Sequence, residues 1–255
     1  MERVAMRNLR VMTCGMLAAL LMQQGAAAEL SVLSAGAIEP GVTKAVAAFQ
    51  QETGHQVRLQ FNTAPQIRKR MADGETWDVV IAPPALLDEL GQSRKLGAER
   101  MPVGRVGLGV VVRSDAPMPD VASVESLKQA LLQSESLVFN RASTGIYLEG
   151  LLRKMEIWPE LEARTTRYSD GASVMEHVLH GKGREIGFGA ITEILLYRDK
   201  GLRLVGPLPA EVQNYTRYSG TVIEGGKGQA AARSFVRYLG GPVGRSLFAA
   251  AGIEP

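Results

Sequence analysis

The stretch FNRASTGIYLEG, residues 139–150, gathers Arg141, Ser143 and Thr144 where an apolar run hands over to a helical pattern. A guanidinium and two hydroxyls at that place suit the capture of an anion. The first turn of a helix leaves backbone N–H groups unpaired, and an arginine adds a charge-assisted hydrogen bond of about 1.5–3 kcal/mol. Three other segments share this address: SAGAIEPG (34–41), FNTAPQ (61–66) and YSDGASV (168–174). Each is built of small or hydroxyl residues with glycine or proline, which lets backbone amides approach a ligand closely. A single loop of this kind is an ordinary capped turn; four together favour an anion site. For Arg141 the competing reading is a solvated or ion-paired surface side chain.

Patterns for bond-making chemistry are sparse. There are three histidines, no G-x-S-x-G elbow, and GKG at 181–183 lacks the spacing and trailing hydroxyl of a phosphate loop. His177 and His180 follow Glu176 at helical spacing and read as last-turn residues, because no third metal ligand accompanies them. Asp78, Asp170 and Glu185 read as solvated or capping carboxylates. An exported enzyme could nominate only Ser143 with Asp170, a pair without an orienting histidine. The expectation is therefore a non-enzyme with no cofactor and no metal.

The elements that must position these loops begin after residue 28. Arg3, Arg7 and Arg10 precede the apolar VMTCGMLAALL, and Ala26-Ala27-Ala28 follows, which together read as a secretory signal cleaved near Ala28. Thr13 before Cys14 and the short apolar stretch upstream argue against lipidation. Cys14 is the single cysteine of the 255 residues, so the mature chain would hold no disulfide, thiolate metal site or cysteine nucleophile. Removing residues 1–28 lowers the net charge from +3 to +1, which gives no reason to expect a nucleic-acid partner.

From there the apolar period alternates between strand and helix. ELSVLSAG reads as a strand, VTKAVAAFQQETG as a helix stopped by Gly54, QVRLQFN as a strand, PQIRKRMADG as a short helix opened by Pro65, and WDVVIAP as a third strand. GLGVVVR (107–113) follows with no evident crossover helix before it. Then come helix 124–133, strand SLVFN, helices 144–155 and 171–180, and strand EIGFGAI. The tail adds strand YSGTVI, a helix carrying Ala232, Phe235, Val236 and Leu239 on one face, and a last helix from Pro242 to about Ala251. Two α/β units with largely parallel sheets are implied, with no flexible linker between them.

The order of segments resembles a known family, the type II periplasmic binding proteins of ABC importers, and within it the molybdate-binding branch. The likeness runs through VLSAGAIEPGVTKAVAAFQQETG, VRLQFNTAPQIRKRMADGETWDVVIAPP, GVVVRSDAP, ASTGIYLEGLLRKM, REIGFGAITE and YSGTVIEGGKG. It implies two lobes, each a mostly parallel sheet flanked by helices, joined by two crossing hinge strands that close over a ligand. Residues 29–108 with 221–255 would form lobe one and 109–220 lobe two, with GLGVVVR and YSGTVI as the crossings. It also implies a serine after each of the first two strands, amides of two further loops, and a tyrosine, all on one oxyanion. Those positions fall on Ala37, Ala64, Thr144, Ala172 and Ala190, so both serines and the tyrosine are missing.

The loss removes three side-chain donors and frees volume, which disfavours a desolvated molybdate. Asn62, Thr63, Asn140, Arg141, Ser143, Thr144 and Ser173 stand close enough in sequence to replace them. Ile38 lies beside Ala37, and Tyr215 and Tyr218 would wall a larger pocket. The resemblance and the substitutions lead to a periplasmic receptor for a small organic carboxylate, monomeric, delivering to an inner-membrane ABC permease. Alternatives are a molybdate, tungstate or sulfate binder, an exported enzyme on the same scaffold, or a sensor subunit.

Overall fold

The computed structural model describes residues 27–226 and 228–255. The leader expected over residues 1–28 lies outside the described residues apart from Ala27 and Ala28. Among the described residues no helix is long and apolar enough to cross a membrane.

The first unit runs β1 (Glu29–Ala35), α1 (Glu39–Thr53), β2 (Gln56–Asn62), α2 (Ala64–Ala72), β3 (Val79–Ala82) and α3 (Pro84–Ser93). β1 pairs in parallel with β2 on one side and β3 on the other. A central parallel strand is covered on both faces, which is why Leu30, Val32, Leu33, Ser34 and Ala35 are all buried. α1 lays Val42, Ala45, Val46 and Phe49 against the sheet and ends at Gly54, whose φ of 73° is left-handed backbone that glycine adopts without a Cβ penalty. α3 corrects the reading that no helix precedes GLGVVVR. PALLDELGQS contains proline and glycine like a turn, yet its proline sits in the first turn and Leu86, Leu87 and Leu90 form a buried face.

β4 (Met101–Arg113) is the longest strand and belongs to both halves of the sheet. Its residues Met101–Gly107 pair with β9 (Tyr215–Val222), and from Leu108 onward it pairs with β7 (Glu185–Ala190) and β8 (Leu202–Pro207). The second unit holds α4 (Val124–Gln133), β5 (Ser136–Asn140), α5 (Ser143–Lys154), α6 (Trp158–Leu161), β6 (Thr165–Tyr168), α7 (Gly171–His180) and α8 (Ile191–Leu195). β6, β5 and β7 are parallel, and β7 runs antiparallel to β4. The full strand order is β2-β1-β3-β9-β4-β7-β5-β6, with β8 also on β4. α9 (Gln229–Gly240) and α10 (Pro242–Ala249) return to the first unit, where Phe235 and Tyr238 meet Phe49 edge-on at 5.1 and 5.4 Å.

Buried apolar residues separate along this division. One cluster spans Leu30 to Val106 and Tyr218 to Ile253 with Ala190; the others run from Leu108 to Leu208. Where β4 passes between them, the Gln213 side chain takes both backbone groups of Leu108: Oε1 accepts from its amide (3.1 Å) and Nε2 donates to its carbonyl (3.0 Å). The same two groups also meet the Asn214 carbonyl (3.2 Å) and the Leu208 amide (3.3 Å), so the strand keeps its backbone paired where it leaves one partner for another. Gly109 lies under α8, and a Cβ there would stand 2.9 Å from Ile191 and 3.0 Å from Ile194.

Candidate functional site

Three of the four loops singled out above meet at a cavity between the two units. Gly36 and Ala37 after β1, Asn62, Thr63 and Ala64 after β2, and Asn140, Ala142, Ser143 and Thr144 after β5 line it, with Pro83, Glu193 and Tyr218. These are carboxyl ends of strands, the usual ligand address in an open α/β sheet. The volume is about 30 Å³, room for one or two waters, so any larger ligand requires the units to separate. A larger cavity of about 480 Å³, lined by Pro117, Met118, Gln129 and Glu185, lies on the second unit, away from the converging loops.

The polar groups at the small cavity are held with donors to spare. Asn62 Oδ1 accepts from Arg70 (2.8 Å), and Gln66 Oε1 accepts from the Thr63 amide (2.8 Å). The Thr63 hydroxyl is buried and meets no hydrogen-bond partner among the described residues. Asn140 is buried; its Oδ1 accepts from the amides of Ala142 (3.0 Å) and Gly145 (3.3 Å), which fixes the turn and leaves Nδ2 for the cavity. Gly145 is required here, since a Cβ would fall 1.7 Å from the Asn140 carbonyl oxygen. Ala37 and Ala64 present methyl groups where the resemblance implies hydroxyls. Ser34, the serine nearest in sequence to Ala37, is buried in β1 and donates to the Ala35 carbonyl (3.3 Å). Thr192 ties the units together by donating to the Ala37 carbonyl.

Other expected residues stand apart. Ile38 is fully buried in the first core. Arg141 has an exposed side chain that does not line the cavity and forms no ion pair among the described residues. Ala172 is exposed, and the Ser173 amide donates to Asp170 (2.8 Å), which caps α7. Ala190 borders an adjoining crevice with Thr144 and Tyr218. Tyr215 is 39% exposed and stacks beneath the Arg105 guanidinium at 4.4 Å. Asp170 also accepts from the Ser169 hydroxyl (2.7 Å), and no hydrogen bond joins it to Ser143. His180 pairs with Glu176 (3.3 Å), while His177 Nδ1 meets the Tyr168 hydroxyl (2.9 Å), so the two imidazoles serve different partners.

Glu193 is the residue that sequence reasoning missed. It is the third residue of α8, three positions after Ala190, where a carboxylate points back over the loop that starts its helix. Gly171 makes room for it, with Gly36 and Gly189 in ordinary contact beside it. A Cβ on Gly171 would lie 2.3 Å from its Oε2, and those on Gly36 and Gly189 would lie 3.6 and 3.7 Å from its carboxylate oxygens. Burial pushes its carboxyl up to about 7, the Ala190 amide draws it back, and the negative charges of Asp170 and Glu39 add to the rise. Burial raises the Tyr218 hydroxyl too, with the Glu193 charge second. The signal available in the sequence was the Glu at the end of GAITE, closing the last segment before a helix start.

The family model for bacterial extracellular solute-binding proteins matches residues 30–254. A curated relative, aconitate isomerase of a Pseudomonas species, is 28% identical over 235 residues, covering 89% of this chain and 87% of that protein. The periplasmic molybdate-binding protein of Azotobacter vinelandii superposes with a TM-score of 0.75 at 16% identity, over 89% of this chain and 99% of the other. The sulfate-binding protein of Mycobacterium tuberculosis gives 0.70 at 17%, over 89% and 87%. A two-lobed α/β fold is what these structures have in common with it. The chain belongs to the bacterial extracellular solute-binding proteins, and its fold is that of the two-lobed periplasmic binding proteins.

Proposed function

We propose that the protein is the periplasmic receptor of an ABC importer that captures a small organic carboxylate between lobe one (29–108 with 221–255) and lobe two (109–220), as a monomer. The observation that carries this reading is the cavity at the lobe junction. Among the described residues the Thr63 hydroxyl has no hydrogen-bond partner there and no hydrogen bond engages Asn140 Nδ2, while Ala37 and Ala64 stand where the resemblance implies compact hydroxyls. A ligand with charge at one end and bulk at the other uses both the donors and the space. Arg141, exposed at the rim beside Asn140 and Ala142, supplies a fork that matches a carboxylate in bidentate geometry once the lobes engage ligand. The relative named aconitate isomerase supports an organic acid over an inorganic oxyanion. A thermal-shift screen of residues 29–255 against mono-, di- and tricarboxylates, molybdate and sulfate tests it. Stabilisation by a carboxylate alone supports the reading, and stabilisation by molybdate alone sinks it.

A second reading, an exported enzyme acting on an organic acid, rests on that same relative together with the Glu193 carboxyl in the cavity. Incubation with aconitate followed by proton NMR separates the two: conversion supports the enzyme, and bound but unchanged acid supports the receptor.

A further inference from the structure

We infer that Glu193 faces the cleft as a carboxylic acid that donates a hydrogen bond to the ligand's carboxylate, so that capture of the ligand takes up a proton. This deepens the receptor reading and rests on it.

The geometry comes first. Glu193 lines the cavity with Tyr218, Thr63 and Asn140, and among the described residues no lysine, arginine or histidine pairs with it. Its carboxylate is packed onto the backbone of Gly171 with Gly36 and Gly189 alongside, and the residue is partly buried at the cavity. The charged groups it feels are Glu39 at the start of α1 and Asp170 at the cap of α7, both acidic, and Tyr218 of β9 meets it with a neutral hydroxyl. From β4 and β8 its helix meets Gly109 and Leu204 through Ile191 and Ile194, which bring no charge.

An ionised Glu193 would set one carboxylate against another, and Arg141, the cation assigned to the ligand, is exposed outside the cavity lining and forms no ion pair with Glu193. A protonated one turns that repulsion into a short donor–acceptor pair, as buried carboxylic acids do in other anion-stabilising sites. Asp170 does not serve in its place, because both its oxygens are engaged at the start of α7. The bound anion further favours protonation, so binding and proton uptake are linked in both directions.

Calorimetric titration with aconitate, citrate and succinate, in buffers of different ionisation enthalpy and from pH 6 to 9, tests this. The expected result for the best-bound acid is uptake of about one proton per ligand at pH 8, with Kd rising about tenfold per pH unit above 7. Glu193→Gln, whose amide still donates, should bind without uptake and with a flat pH profile, and Glu39→Gln should keep the uptake. Binding by the wild type with no uptake and no pH dependence overturns the inference and leaves the receptor reading intact. Uptake that persists in Glu193→Gln assigns the proton elsewhere and overturns it as well. Failure of every carboxylate to bind removes both.

Discussion

In the cavity the Thr63 hydroxyl has no hydrogen-bond partner among the described residues, and Glu193 has no cation paired with it there. A carboxyl held near 7 by burial carries a pH signature of its own. Its folded value lies above that of the unfolded chain, so the stability it allows is complete below about 4.5 and is lost as pH rises through about 7. Glu193→Gln should therefore match the wild type near pH 4.5 and exceed it by up to about 3 kcal/mol at pH 8, read by urea denaturation across that range. A difference constant with pH would show that the carboxyl titrates alike in the folded and unfolded chain. Thr63→Val should leave unfolding free energy within about 1 kcal/mol, because the hydroxyl has no partner to lose, while weakening carboxylate binding by about tenfold. Arg141→Ala should weaken the same binding by about ten- to a hundredfold without altering stability; unchanged affinity would return that side chain to the surface.

Among the elements, β4 and α8 join the two units beside the cavity: β4 pairs into both halves of the sheet, and α8 carries Glu193 and the Thr192 bond to Ala37. β4 exchanges β9 for β7 and β8 at Leu108, and Gln213 bonds both backbone groups of that residue. Gln213→Ala should cost about 1 kcal/mol in chemical denaturation and speed hydrogen exchange at Leu108, since each backbone group loses one of its two partners and keeps only Asn214 or Leu208. Strand-to-helix loops were legible in the sequence because their logic is local: small residues, a hydroxyl and a glycine within five positions. α3 was missed because Pro84 and Gly91 look like turn residues when the leucine face is not weighed against them. β6 and β8 were missed for a different reason. TTRY is a half-buried edge without alternation, and LRLVGP is ordered by β4, a strand ninety residues earlier. Glu193 was illegible because its environment comes from Gly36, Gly171 and Gly189, three glycines that meet only in the fold.

At the level of the whole molecule, the two core clusters share no helix wholly between them, and the cavity at their junction is too small for an organic acid as it stands. Binding must pass through an open form, so the ligand works by favouring the closed one. In small-angle scattering the ligand-free protein should show a larger radius of gyration than the ligand-bound one, by an amount that vanishes for acids that do not bind. The alternation of α/β units was readable from the periods along the chain; of the two expected crossings, GLGVVVR lies on β4, which pairs into both halves of the sheet, while the strand of YSGTVI pairs only with β3 and the first half of β4. The most direct test of the carboxylate claim is calorimetric titration of residues 29–255 with a panel of organic acids and with molybdate at one pH and salt. The expected result is a Kd of about micromolar or tighter for at least one carboxylate, and binding at least about a hundredfold weaker for molybdate. Tight molybdate binding with no heat from any carboxylate would contradict it.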